Sequence, residues 1–206
     1  MATAANKTAA QALLAHTQVA TAAIAIGSPI DVSAKIGPAM AFVKMGRTIA
    51  TALSNQLKFR IEASAKTSGD DEWVPVAEWT SQYGTTAASK TTLNDAACNA
   101  GDTSFTLTSA TGFAAGDMIY LRETGTPANS EWVREKSVSS NTVTVEEAIT
   151  RNHTNGIDVT DLAESFAIPL DISGLVRVRL VVDAASAATG QTVDVIAWLT
   201  TLDSVG

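Results

Sequence analysis

The residues that could support catalysis or metal binding are few and widely separated. Glycine-aspartate pairs stand at residues 101–102 and 116–117, and residues 70–72 form a short acidic run, Asp-Asp-Glu. An oxygen-ligand cage for calcium needs several ligands at close spacing, and none of these segments provides it. We therefore expect no metal site, and we interpret the acidic run as a solvated loop tip.

Nucleophilic catalysis has no better candidates. His16 and His153 are the only histidines and lie far apart in sequence, and Cys98 is the only cysteine. The chain contains neither a Gly-x-Ser-x-Gly elbow nor a glycine-rich phosphate loop. We expect no catalytic residue, no cofactor and no enzymatic activity, and we interpret Cys98 as a buried, inert thiol.

Charge and hydropathy exclude two classes of partner. The formal net charge is −7, from 21 acidic and 14 basic residues, so a polyanion would be repelled at long range. The apolar stretch at residues 20–26 is too short for a membrane span and lacks the flanks of a secretory signal. We expect a soluble protein, made in a cytoplasm, that binds neither nucleic acid nor membrane.

The last third of the chain carries the clearest strand patterns. Apolar and charged residues alternate over residues 176–183, which is typical of a strand buried on one side. Residues 192–200 alternate too, but Ile196 and Trp198 make their second face partly apolar. We expect that face to meet another protein surface. The small residues at 184–190 are expected to join the two strands as a hairpin.

Strands are also predicted in the first part of the chain. Residues 56–66 alternate strictly and residues 72–79 return after a polar loop, with Pro75 marking an edge strand or a bulge. Trp73 and Trp79 are interpreted as core or interface anchors. The segment Gly37-Pro38 is expected to break the chain before a strand that runs from residue 40 to residue 53.

The segment between residues 84 and 163 differs in character. Its short strand patterns predict a hairpin of residues 131–138 with 141–146 and a small β-barrel or meander. The expected core positions are Phe105, Leu107, Phe113, Ile119, Leu121, Val133, Val143 and Val145. We predict an all-β chain in which residues 21–83 and 164–206 form a β-sandwich and residues 84–163 form an inserted small β domain.

Residues 1–20 are predicted to form an N-terminal arm or short helix. They are alanine-rich, and Thr8 with Gln11 fits the spacing of a capping box. A helix of this length is marginal alone, so Leu13, Leu14 and Val19 are expected to bind a partner and become ordered there. A short helix packed on its own domain, or a frayed terminus, remains the alternative.

Basic residues occupy outward positions of two strong strands. If those strands are neighbours, Lys58, Arg60, Arg177 and Arg179 form a cationic strip on an acidic protein. The strip could dock an acidic partner. Alternatively, it is an ordinary solvated face that is paired with Glu62 and Asp183.

Two parts of the chain resemble known proteins. Ala-Gly-Asp-Thr-Ser-Phe-Thr-Leu at 100–107, Val-Arg-Glu-Lys-Ser-Val at 133–138 and His-Thr-Asn-Gly at 153–156 resemble a β module of tailed-bacteriophage virion proteins. Ile-Pro-Leu-Asp-Ile-Ser-Gly-Leu at 168–175, followed by Val-Arg-Val-Arg-Leu-Val-Val-Asp, is similar to sandwich domains of phage capsid decoration, or cement, proteins.

The resemblance implies a jelly-roll-like sandwich on the outer surface of a phage head. The protein would then be a dimer or trimer that binds the major capsid protein and stabilises contacts between capsid subunits. A tail or head-fibre module that binds host-surface glycans is the alternative, with Trp132 and Tyr120 as the stacking residues.

Overall fold

The computed structural model describes residues 9–20, 23–53, 56–69, 72–83, 86–184 and 192–203. These residues form β-strands and loops, with one short 3-10 helix at Pro127–Asn129. The predicted all-β class is confirmed. No helix in this part of the chain is long and apolar enough to cross a membrane.

The strands are, in chain order, β1 (Gln11–Ala20), β2 (Ile24–Ile26), β3 (Ile30–Asp31), β4 (Lys35–Arg47), β5 (Lys58–Ser64), β6 (Val74–Thr80), β7 (Lys90–Thr92), β8 (Ser104–Thr106), β9 (Met118–Arg122), β10 (Glu131–Ser139), β11 (Thr142–Val145), β12 (Asp158–Thr160), β13 (Glu164–Asp171), β14 (Arg177–Asp183) and β15 (Thr192–Asp203).

Two antiparallel sheets form a sandwich, with strand orders β1-β15-β4-β13 and β2-β14-β5-β6. The short strand β3 pairs with β14 beside β2, so β2 and β3 act as one interrupted edge strand. Counted this way, one sheet holds the first, eighth, third and sixth strands, and the other holds the second, seventh, fourth and fifth. This is the strand order of a jelly roll, so the jelly-roll-like sandwich is confirmed.

Alternating side chains build the core between these sheets. Val178, Leu180 and Val182 of β14 are buried, as are the four inward residues of β15 between Val193 and Leu199. Both predicted inward faces are confirmed. The predicted hairpin of these strands is wrong, because the seventh and eighth strands of a jelly roll lie in opposite sheets. Most of their connection, residues 185–191, lies outside the described residues.

The predicted N-terminal helix is wrong for residues 11–20, which form β1 at the edge of a sheet. Pairing with β15 and burial outweigh the helix propensity of the alanines, although alanine is the strongest intrinsic helix former. Leu13, Leu14 and Val19 are 0%, 6% and 2% exposed inside the sandwich core, so they do not form a free binding arm. Residues 1–8, including Thr8 of the predicted cap, lie outside the described residues.

Two further predictions concern strands of the first part. β4 continues through the expected break at Gly37-Pro38, because Gly37 adopts a φ of 72° and bends the strand without ending it. The strand then ends at Arg47, earlier than expected. β6 lies at a sheet edge and its register with β5 shifts beside Pro75, so the edge and bulge expected there are both present. Asp70 and Asp71 of the expected loop lie outside the described residues.

The strands β7 to β12 form one curled sheet of order β7-β12-β9-β10-β11-β8. Backbone hydrogen bonds from Asn94 N to Thr106 O and from Thr108 N to Thr92 O join its two ends. Its separate core contains all eight expected residues from Phe105 to Val145, and the predicted hairpin is present as β10 and β11.

The chain enters and leaves this inserted unit at neighbouring points. The Glu164 carboxylate accepts hydrogen bonds from the backbone N–H groups of Gln82 and Tyr83, at 2.7 and 3.2 Å. The buried guanidinium of Arg47 donates to the carbonyl oxygens of Tyr83 and Thr86. These bonds anchor both connections to the sandwich. The division of the chain into a sandwich domain and an inserted domain stays a prediction.

Candidate functional site

The inserted unit lies on the outer face of the β1-β15-β4-β13 sheet and covers one end of it. The ring of Tyr120, on β9, packs directly over Gly46 of β4. A Cβ atom at Gly46 would lie 2.3 Å from that ring, far inside van der Waals contact. Glycine at this position therefore permits the close approach of the two units.

A buried polar cluster fixes this contact, and we call His16, Tyr120, Arg122 and Asp194 the Asp194 cluster. The Asp194 carboxylate accepts hydrogen bonds from Tyr120 Oη and Arg122 Nε, each 2.8 Å long. His16 Nε2 lies 3.1 Å from Tyr120 Oη, and His16 Nδ1 lies 2.6 Å from the carbonyl oxygen of Pro127. The cluster thus joins strands β1 and β15 to the inserted unit.

The charge of Asp194 is stabilised despite its burial. Burial alone would raise the pKa of Asp194, but hydrogen bonds from His16, Arg122 and Tyr120 outweigh it and lower the pKa. Burial raises the pKa of Tyr120, which keeps its hydroxyl protonated and able to donate. The cluster is therefore a satisfied structural contact between the units.

Beside this cluster runs a groove of about 510 Å³, which we call the tryptophan groove. Its walls include Trp132 of the inserted unit and Lys44, Ile196 and Trp198 of the sandwich sheet. A volume of this size lies in the range of small-molecule sites. The groove is the strongest candidate for ligand binding in the described residues.

Both indole rings are held by aromatic neighbours. Trp132 stacks on Tyr120, with ring centroids 4.5 Å apart, and Trp198 stacks on Phe42 at 5.7 Å. The Lys44 ammonium lies 5.9 Å from the centroid of each indole. Burial lowers the pKa of Lys44, and the carboxylate of Glu131 partly offsets this effect.

The charged groups around the groove differ in whether they have hydrogen-bond or ion-pair partners. Glu131 accepts two 2.8 Å hydrogen bonds from Thr150 and one of 3.2 Å from His153. Burial alone would raise the pKa of Glu131, but these bonds outweigh it and lower the pKa. Arg134 lies 3.8 Å from Glu146. Arg151 is exposed, with no ion-pair or hydrogen-bond partner in the described part of the chain.

The groove brings together some of the residues expected to bind partners. Ile196 and Trp198 line it and are partly exposed, and Trp132 lines the facing wall. Tyr120 is 0% exposed, so the expectation that it stacks on a glycan is wrong. Lys44 and His16 were not expected there, because their neighbours in space are distant in sequence.

The expected cationic strip exists, because β5 and β14 are neighbours. Most of its charged groups have partners, since Glu62 forms ion pairs with Arg179 at 2.8 Å and with Arg60 at 3.6 Å. Arg177 donates to the carbonyl oxygens of Lys66 and Gly69. Both Arg177 and Arg179 also stack on Trp73, at 4.9 and 4.1 Å. This geometry favours the solvated face over the docking strip, and Lys58 remains exposed.

Two titratable groups are buried in the core of the inserted unit or beside it. Cys98 is 1% exposed, and burial raises the pKa of its thiol to about 12, which suits the predicted inert thiol. Glu135 is fully buried, and burial, together with the nearby Asp117, raises its pKa to about 8. Among the described residues no group of three or more His, Cys, Asp or Glu side chains could hold a metal ion.

Comparison of the chain with models of known protein families and with curated proteins found no match.

Proposed function

We propose that this chain is a structural virion protein of a tailed bacteriophage, a capsid decoration or cement protein. It binds the outer surface of the head, contacts the major capsid protein and stabilises contacts between capsid subunits. The resemblance of residues 100–156 and 168–183 to phage virion proteins motivates this proposal. The jelly roll is compatible with it, because viral capsid domains often have this fold, although other proteins share it.

The observation that carries the proposal is an apolar surface on the outer face of the β1-β15-β4-β13 sheet. Beyond the inserted unit and the tryptophan groove this face presents residues that we call the open face, namely Met40, Phe42, Ala167 and Pro169. Ala167 and Pro169 are exposed, and Met40 and Phe42 are partly exposed. Apolar patches of this kind are typical of protein interaction sites.

The open face has the composition of an interface core. It combines the aromatic ring of Phe42 with a methionine and lacks charged side chains, and aromatic residues and methionine are enriched where proteins meet. A two-fold arrangement would cover this face with the same face of another copy, and a three-fold arrangement would cover it with a different face of the neighbouring copy. We therefore propose that the open face mediates self-association, and that the oligomer spans neighbouring capsid subunits.

Binding to heads tests the function directly. Purified heads that lack the protein are incubated with it, and bound copies are counted by electron microscopy. We expect a copy number that is fixed by capsid symmetry, together with better survival of the particles on heating. Absence of binding to such heads would contradict the decoration function.

Sedimentation at micromolar concentration tests the interface separately. The wild type is expected to form a dimer or trimer, and Phe42→Asp is expected to be a monomer because it places a charge in the apolar contact. Val76→Asp is the matched control, because Val76 is 44% exposed on the opposite sheet. A monomeric wild type would contradict self-association.

The second candidate function is a tail or head-fibre module that binds host-surface glycans. The tryptophan groove favours it, because its two partly exposed indole rings offer flat apolar surfaces on which sugar rings can pack. A copy number that is fixed by capsid symmetry supports the first function, and binding to host-surface glycans supports the second.

A further inference from the structure

We propose that the tryptophan groove binds an acidic saccharide, with the sugar carboxylate on Lys44 and the ring packed on Trp132 or Trp198. The proposal names the ligand class for the groove and does not require the decoration function. It concerns the isolated protein, so its test is independent of binding to heads.

Lys44 supplies the anion-binding group. Its ammonium lies between the two indoles, and no carboxylate lies within ion-pair distance of it in the described residues. Glu131 is near enough to influence Lys44, but its oxygens already accept bonds from Thr150 and His153. A partly buried ammonium without a counterion gains more from an anionic ligand than a solvated one does.

The indoles supply flat apolar surfaces for the sugar ring. Each is braced by an aromatic neighbour, Trp132 by Tyr120 and Trp198 by Phe42, so little conformational entropy is lost on binding. The C–H groups of a pyranose ring carry small positive charges, and an aromatic face carries negative charge. The groove volume of about 510 Å³ accommodates a short saccharide.

The rim supplies groups for hydroxyls and for a second anionic contact. Arg151 is exposed beside the groove, and a guanidinium binds carboxylate through two parallel hydrogen bonds. Glu147 and Thr150 also line the groove and can accept or share hydroxyl protons. Sugar hydroxyls both donate and accept, so this mixed rim matches them.

The backbone around the groove favours a saccharide over an extended peptide. Trp132 lies on β10, which pairs with both β9 and β11, and Trp198 lies on β15, which pairs with both β1 and β4. At Trp198 both edges of β15 are paired, so a peptide could not extend the sandwich sheet there through backbone hydrogen bonds. Recognition here must come from side chains, as it does for sugars.

Titration of the full-length protein with digalacturonate tests the proposal, with indole N–H signals followed by NMR. The chain has four tryptophans, which Trp→Phe variants assign. We expect the signals of Trp132 and Trp198 to shift and those of Trp73 and Trp79 to stay. The neutral galactose disaccharide of the same linkage is expected to bind about tenfold more weakly, because it lacks the charged contact.

Two variants connect the binding to Lys44. Lys44→Met removes the charge but keeps an unbranched side chain only one atom shorter. It is expected to weaken digalacturonate binding about tenfold, whereas Lys58→Met on the opposite sheet should not. If Lys44→Met does not fold, Arg151→Gln at the exposed rim serves instead, with a smaller loss expected.

Three results would overturn the proposal. The first is that the Trp132 and Trp198 signals do not shift at millimolar digalacturonate. The second is that the neutral disaccharide binds as tightly as digalacturonate, and the third is that Lys44→Met binds digalacturonate as tightly as the wild type. Tighter binding of a triglutamate peptide than of digalacturonate would likewise overturn it in favour of a protein partner.

Discussion

The hydroxyl of Tyr120 donates a 2.8 Å hydrogen bond to the carboxylate of Asp194, and this bond connects the inserted unit to the sandwich. Tyr120 is 0% exposed and Asp194 is 4% exposed, so water does not compete for either group. The bond therefore contributes both to the stability of the chain and to the relative position of the two units.

Tyr120→Phe removes this bond and keeps the ring that packs on Gly46 and Trp132. We expect the free energy of unfolding to fall by about 1.5–3 kcal/mol, the usual worth of a hydrogen bond to a charged group. Urea denaturation at neutral pH measures the change. Tyr83→Phe is the matched control, because the Tyr83 hydroxyl makes no hydrogen bond in the described part of the chain. Equal losses in the two variants would contradict the role of this bond.

The position of β1 inside the sandwich changes what the N-terminal leucines are expected to do. Leu13→Ala removes a side chain that is 0% exposed, and a loss of about 2–5 kcal/mol is typical of such a site. Val74→Ala, at a residue that is 62% exposed, should change stability by less than about 0.5 kcal/mol. Thermal and urea unfolding of both variants and of the wild type measure these losses. A Leu13→Ala variant as stable as Val74→Ala would show that β1 does not contribute to the core.

Alternation along β14 and β15 was sufficient to predict their inward faces, because a period of two is a local property of the chain. The same reasoning failed at β1. An alanine-rich segment favours a helix by its own propensity, but the conformation of β1 is decided by pairing with β15, which lies far away in sequence.

The predicted hairpin after β14 was wrong for a related reason. A short loop of small residues fits a hairpin and a crossover between sheets equally well, and only the jelly-roll order decides between them. The groove could not be predicted either. Lys44, Trp132 and Trp198 come from β4, β10 and β15, and no sequence spacing shows that the insertion places them side by side.

Glu135 is expected to make stability depend on pH. Its pKa in the folded protein is about 8, against an ordinary value of 4.5. Between these two pH values, the folded state keeps a proton on Glu135 that the unfolded state has released. The stabilisation that comes from protonated Glu135 is therefore fully present below about pH 4.5. It is lost as the pH rises towards 8, by at most about 1.4 kcal/mol per pH unit.

Glu135→Gln removes this titration, because the amide stays neutral. We expect the variant to lose less stability than the wild type between pH 5 and pH 8, as measured by urea denaturation at several pH values. Glu147→Gln, at an exposed carboxylate, is the matched control and should follow the wild type. Parallel curves for the wild type and Glu135→Gln would contradict the raised pKa.

Removal of the inserted unit tests the nested architecture. We predict that deleting residues 84–163 and joining Tyr83 to Glu164 through a short Gly/Ser linker leaves a folded sandwich. The 2.7 and 3.2 Å bonds from Gln82 N and Tyr83 N to the Glu164 carboxylate hold the two cut ends close together, so a short linker spans them without strain. The two cores are separate clusters, so the deletion opens no cavity between the sheets of the sandwich.

The deletion also removes Tyr120 and Arg122 from Asp194, but the carboxylate then faces water and needs no buried partner. The trimmed protein should retain a single cooperative transition in thermal and urea unfolding, with a lower midpoint because the contacts across Gly46 are lost. Adding Leu13→Ala to the trimmed protein should lower that midpoint further, since Leu13 belongs to the remaining core. A trimmed protein without cooperative unfolding would show that the sandwich depends on the inserted unit to fold.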